Sequence, residues 1–144
     1  MTLPLATVDD ADLPVRQFTT KKLIGLPQEA SVQEACRVMV DFGISSLVVL
    51  DEQENVVGFI TQKDIISRVV AEGQSSLKPI EEFMSRDPIT ASIDRPVSEV
   101  LTEMAKHQIT HMLLVEEGRV KGIFTLRDFL DFQRQGLSTF ISTG

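Results

Sequence analysis

Cysteine is nearly absent from this 144-residue chain: Cys36 stands alone, so no internal disulfide can form. Its place in an apolar helical pattern marks a buried thiol rather than a reactive one. Cations are the second shortage, with 14 lysines and arginines against 21 aspartates and glutamates and a net charge of -7. That balance argues against sequence-independent binding to nucleic acid or an anionic membrane, which needs clustered basic residues. No apolar run approaches the roughly 20 residues that a membrane helix requires. The N-terminus also lacks the basic-then-apolar order of a signal peptide, so we expect a cytoplasmic protein without membrane insertion. Catalytic patterns are missing too: there is no P-loop and no G-x-S-x-G. His107 and His111 lie four apart, but Gln108-Ile109-Thr110 leads into a strand, so one helix does not carry both and a metal pair is not expected. We assign no catalytic residue and no metal site, and we expect neither an enzyme nor a catalytic cofactor.

What is present is an ordinary globular composition, 42% hydrophobic and 24% charged, in a chain long enough to bury a real core. Its organising stretch is Gly58 to Asp64, GFITQKD, echoed at Gly122 to Asp128 as GIFTLRD. Each has glycine, a short apolar strand, then threonine and aspartate three apart where a helix would begin. The glycine suits a tight turn or a close backbone approach. The echo extends along the chain. PVRQFTTKKLIGL (14–26) aligns with PIEEFMSRDPITA (79–91) at an offset of 65 positions, which falls to 64 beyond a short turn. We read residues 1–13 as a tail or short lead-in helix, 14–78 as the first repeat, and 79–144 as the second repeat with a short C-terminal tail.

Each repeat reads as strand, helix, strand, strand, helix. The first strand is expected at Leu23 to Leu26 and at Pro88 to Ala91. The following helix opens with a capping box at Ser31 to Glu34 in the first copy, and with Asp94 as the cap candidate in the second. The stripes Val32, Ala35, Cys36, Met39, Val40 and Val97, Val100, Leu101, Met104, Ala105 have the spacing of one buried face. Two apolar strands joined by a tight turn come next. A last helix runs from about Gln62 to Glu72 and from about Leu126 to Gln135, with Gly73 and Gly136 marking its ends.

A threonine hydroxyl and an aspartate one turn apart can converge on a cis-diol such as that of a ribose, since carboxylate accepts and hydroxyl both donates and accepts. The new helix adds free N–H groups that favour phosphate, and Lys63 and Arg127 would supplement them. The competing reading is that Thr61/Asp64 and Thr125/Asp128 only cap their helices. The β-α-β-β-α order and the G-h-x-T-x-x-D ending, given twice, resemble a tandem CBS domain pair, or Bateman module, over about residues 14 to 140. The resemblance implies an α/β (α+β) fold of two repeats packed about a pseudo-twofold axis. It also implies a regulatory module that senses an adenosine-containing nucleotide of the AMP, ADP or ATP class in the cleft between them. S-adenosylmethionine and NADH are the other candidates.

Carried over residue by residue, the resemblance assigns the ribose to Asp64 and Asp128, with Thr61 and Thr125 beside them. It places the adenine edge at Ile24 and Gly25 and at Ile89 and Thr90. Gly25 departs from the common threonine that Thr90 matches. Thr110-His111 precedes the second strand where the first copy has Ser45-Ser46, so His111 could meet a phosphate. The second copy is therefore expected to hold the better site. The alternative, from a different class, is a homodimerisation or protein-interaction module with vestigial pockets, pairing through its helices with a second copy or with a client enzyme or transporter.

Overall fold

Hydrogen bonds between the apolar runs of each repeat build a three-stranded mixed sheet. The structure, a computed structural model, describes residues 10–19 and 23–143, with side chains to residue 135. These residues divide into two compact units, 23–88 and 10–19 with 89–143.

In the unit 23–88, β1 (Gly25–Pro27) runs parallel to β2 (Ser46–Leu50), which pairs antiparallel with β3 (Val56–Thr61). α1 (Val32–Phe42) connects β1 to β2, and a parallel pair needs such a crossover. Ser31 caps it, its Oγ accepting from the Glu34 N–H at 3.0 Å. After β3, α2 (Gln62–Asp64) is a single turn that continues as a π-helix over Ile65–Val70, and the turn that follows holds Gly73, whose φ of 64° favours glycine. Val32, Ala35 and Met39 face the core with Leu47, Val49, Ile60, Ile65, Val69, Ile80, Phe83 and Met84.

The other unit repeats the plan. β4 (Thr90–Ser92) runs parallel to β5 (His111–Glu116), and β5 pairs antiparallel with β6 (Arg119–Thr125). α3 (Val97–His107) is the crossover and α4 (Leu126–Thr143) follows the motif. Its core joins Val97, Val100, Met104, Met112, Leu114 and Phe124 to Val15 and Phe18.

The stretch ahead of each first strand therefore sits in the unit that holds the other repeat's motif. Residues 10–19 pack with 89–143: Val15 N–H donates to Arg95 C=O at 2.8 Å, and Val97 N–H to Leu13 C=O at 2.9 Å. The Phe18 ring lies 4.4 Å from that of Phe132, tilted by 47°, and contacts Phe124 and Phe129. Burial of such a ring is worth about 1.5–3 kcal/mol. Likewise 79–88 packs with 23–78, where Phe59 and Ser85 exchange hydrogen bonds of 2.9 and 2.8 Å.

Four local expectations need correction. The first strands begin later than Leu23 and Pro88, because pairing with the neighbouring strand starts only at Gly25 and Thr90. Asp94 is not the cap of α3: Pro96 holds that position, and the Asp94 carboxylate is bound by Arg16. Val40 is 73% exposed and its counterpart Ala105 is exposed too, since each helix turns that residue one position past the buried line of Val32, Ala35, Met39 or Val97, Val100, Met104. The last helix passes through Gly136 to Thr143, a glycine in a helix interior costing about 1 kcal/mol without stopping it. Of the proposed tail, Asp10–Asp12 form a 3-10 turn and residues 1–9 lie outside the described residues.

Candidate functional site

β3 and β6 each end at the threonine of the motif, where the backbone leaves the sheet and turns into a helix. In the first repeat, Thr61 N–H and Oγ1 donate to Asp64 Oδ2 at 2.9 and 3.0 Å, and Asp64 N–H donates to Thr61 Oγ1 at 3.2 Å. In the second, Thr125 N–H donates to Asp128 Oδ2 at 2.9 Å and Asp128 N–H to Thr125 Oγ1 at 3.1 Å. Both pairs are reciprocal capping boxes. The capping reading and the diol reading are compatible: the box fixes the rotamers of threonine and aspartate, so a polar pair is held ready at the strand end. Asp128 is 7% exposed and is one of the two buried polar residues among the described residues, the other being Ser46.

Sheet register decides which residues join each pair. His111 lies directly opposite Thr125, and Thr90 opposite Leu113 two residues along. Because side chains alternate across a sheet, Thr90, His111 and Thr125 share one face, while Ala91, Met112, Leu114 and Phe124 turn to the unit's core. His111 Nδ1 lies 2.9 Å from Thr110 Oγ1. In the first repeat the equivalent positions hold Gly25, Ser46 and Thr61, with Ser46 opposite Thr61. Gly25 has a steric reason: an added Cβ would meet Val48 Cγ2 at 2.7 Å and Val48 O at 3.0 Å.

The remaining candidates are placed differently. Ile24 and Ile89 precede their strands and pack their side chains on the cores, and Ile24 C=O accepts from Val48 N–H at 3.1 Å. Arg127 is 81% exposed, with Nε 4.0 Å from Asp131 one turn along α4. Lys63 is exposed in the first turn after Thr61. Outside that set of candidates, Arg68 places Nε 3.7 Å from Asp64 Oδ1 and donates Nη1 to Phe83 C=O at 3.0 Å.

The two motif glycines differ in role. A Cβ on Gly58 would fall 2.2 Å from Met84 Sδ, whereas one on Gly122 would meet only Thr19 Cγ2 at 3.8 Å. Gly58 thus serves a close approach, and neither glycine has the positive φ of a tight turn. Sequence reading missed Met84 as the reason for Gly58, although the aligned Phe18 and Phe83 signalled that the lead segments are equivalent. Among the described residues no cluster of histidine, cysteine or acidic groups could hold a metal, and no helix is long and apolar enough to cross a membrane. Cys36 packs beside the core, and burial raises its thiol pKa.

Two β-α-β-β-α units with a threonine–aspartate box at each strand-to-helix junction define a tandem-repeat class of small module. The CBS domain family model matches residues 15–71 and 80–134, and the chain belongs to that family. A crystal structure of an uncharacterized conserved protein from Pyrococcus horikoshii is 47% identical, with a TM-score of 0.84 over 88% of this chain and 96% of that one. The CBS domain pair of protein MJ0100, in complex with 5′-methylthioadenosine and S-adenosyl-L-methionine, is 32% identical, with a TM-score of 0.74 over 85% and 96% of the two chains. An uncharacterized 17.7 kDa protein of Acidianus ambivalens is 30% identical over 79% of this chain and 69% of its own length. The L-aspartate semialdehyde sulfurtransferase of Methanocaldococcus jannaschii is 35% identical over 79% of this chain, which spans 22% of that protein.

Proposed function

We propose that this chain is a regulatory module that senses an adenosine-containing ligand, with AMP, ADP and ATP as the nucleotide candidates and S-adenosyl-L-methionine as the competitor. The observation that carries the reading is the register that sets His111 opposite Thr125, on the same face as Thr90 and one turn from the buried Asp128 carboxylate. A ribose diol would donate to Asp128, and His111 would meet a phosphate or another anionic group when protonated. The adenosyl ligands named for the MJ0100 domain pair support the same chemistry. The first-repeat pair, Thr61 and Asp64, offers the same box without a hydroxyl at Gly25 or an imidazole at Ser46.

Calorimetric titration with AMP, ADP, ATP, S-adenosyl-L-methionine and NADH tests the proposal on the wild type, Asp128→Ala and Asp64→Ala. We expect heat with at least one adenosyl ligand and a larger loss in Asp128→Ala. No heat with any ligand sinks the sensor reading, and undiminished binding by Asp128→Ala sinks the preferred site. A second reading, self-association or client binding through helices, is motivated by exposed Ile66 and Leu130, which occupy matching positions of the two repeats. Sedimentation with and without ligand separates the two: association that ignores ligand favours the interaction module.

A further inference from the structure

Arg68 and Phe132 occupy the same place in the two repeats, 64 positions apart like Asp64 and Asp128. Each ties the lead segment of its unit to the motif helix, but by different chemistry. Phe132 does so through ring contact with Phe18 at 4.4 Å. Arg68 donates Nη1 to the backbone carbonyl of Phe83, the residue aligned with Phe18, while its Nε sits 3.7 Å from the Asp64 carboxylate. One guanidinium thus serves both the candidate ligand carboxylate and the segment 79–88. That segment flanks the motif further: Met84 lies over Gly58, and Ser85 exchanges backbone hydrogen bonds with Phe59. The helix carrying Arg68 is π-wound over Ile65–Val70, the rarer winding that recurs at functional sites, whereas its counterpart is α-helical from Leu126 on.

We infer that Arg68 is a positioning residue that relays occupancy at Asp64 to the segment 79–88. The inference rests on the proposed reading of Asp64 as a diol acceptor. Ribose hydroxyls donated to Asp64 satisfy acceptor positions that now face Arg68, so the guanidinium loses attraction on that side and commits to Phe83 C=O. The segment 79–88 is then held more tightly when the pocket is filled. Between Phe18 and Phe132 the contact is apolar.

Hydrogen exchange on the full chain tests the relay, using whichever of AMP and S-adenosyl-L-methionine binds more tightly by calorimetry. In the wild type, ligand slows exchange of the amides of Phe83, Met84 and Ser85 by about two- to tenfold, the span of one net hydrogen bond. In Arg68→Met, ligand still binds by calorimetry but those amides no longer respond. Arg68→Lys, which keeps the charge and loses the fork, gives at most a weak response. An unchanged ligand response in Arg68→Met, or none in the wild type despite binding that Asp64→Ala abolishes, overturns the relay alone. Absence of any binding that Asp64→Ala removes overturns the ligand reading of Asp64, and the relay with it.

Discussion

Grafting the second repeat's threonine onto the first, Gly25→Thr, should fail for a reason visible in the sheet. β1 is an edge strand whose residue 25 lies beside Val48, and a Cβ there meets Val48 Cγ2 at 2.7 Å, Val48 O at 3.0 Å and Leu50 Cδ1 at 3.2 Å. Two of these neighbours cannot yield cheaply. One is backbone, and the other belongs to a β-branched side chain with a stiff χ1. Overpacking of this kind costs about 1–3 kcal/mol. Replacing glycine recovers about 0.4–1 kcal/mol through the less flexible unfolded chain, so a net loss centred on about 1.3 kcal/mol is expected. Denaturant unfolding reads it as a lower midpoint at unchanged slope. Gly25→Ala should show most of the loss, because the clash is at Cβ, and Val48→Ala in the same chain should relieve part of it. A Gly25→Thr chain as stable as the wild type, or stabilised, would refute the steric account of why the two sites differ.

Two further outcomes are expected. Gly58→Ala should destabilise by about 1–3 kcal/mol, since its Cβ would overlap the buried Met84; Gly122→Ala should stay within about 0.5–1 kcal/mol of wild type, and thermal melts in which the two behave alike would contradict the packing. Cys36 should react slowly with a thiol reagent in the native state and rapidly after unfolding. Its pKa is raised by burial, so its neutral form is favoured in the fold, and that contribution to stability is present below the unfolded pKa and lost as pH rises through the folded one. Equal labelling rates in native and denatured protein would rule out the protected thiol.

Much of the candidate site's local geometry was legible because its signals lie close in sequence. Thr61/Asp64 and Thr125/Asp128 are three apart, and that spacing alone produces the capping boxes that the coordinates show. The duplication did the rest, since aligned apolar positions in two copies separate strand from helix better than either copy does. Less legible were features that depend on partners distant in sequence. Gly58 looks like its twin Gly122, and only the proximity of Met84 distinguishes them. Asp94 has the chemistry of a cap, yet Arg16 takes its carboxylate. Val40 fits the apolar stripe by spacing but lies beyond the edge of what the sheet covers, a matter of where the core stops rather than of periodicity.

The exchange of lead segments also sets an order of assembly. Residues 23–88 are continuous, so every partner of that unit has been synthesised once residue 88 leaves the ribosome. The unit of 10–19 with 89–143 must instead close the chain across an entire repeat, with Val15 and Phe18 waiting for Arg95, Phe124 and Phe132. The entropy of that closure grows only slowly with loop length once the intervening repeat is compact. The contacts of that closure nonetheless span more sequence than those within 23–88, so this docking is the step expected to be slow. Residues 10–19 are made before the repeat they must wait for, so an apolar stretch carrying Val15 and Phe18 is expected to stay uncovered on the nascent chain until 89–143 follows.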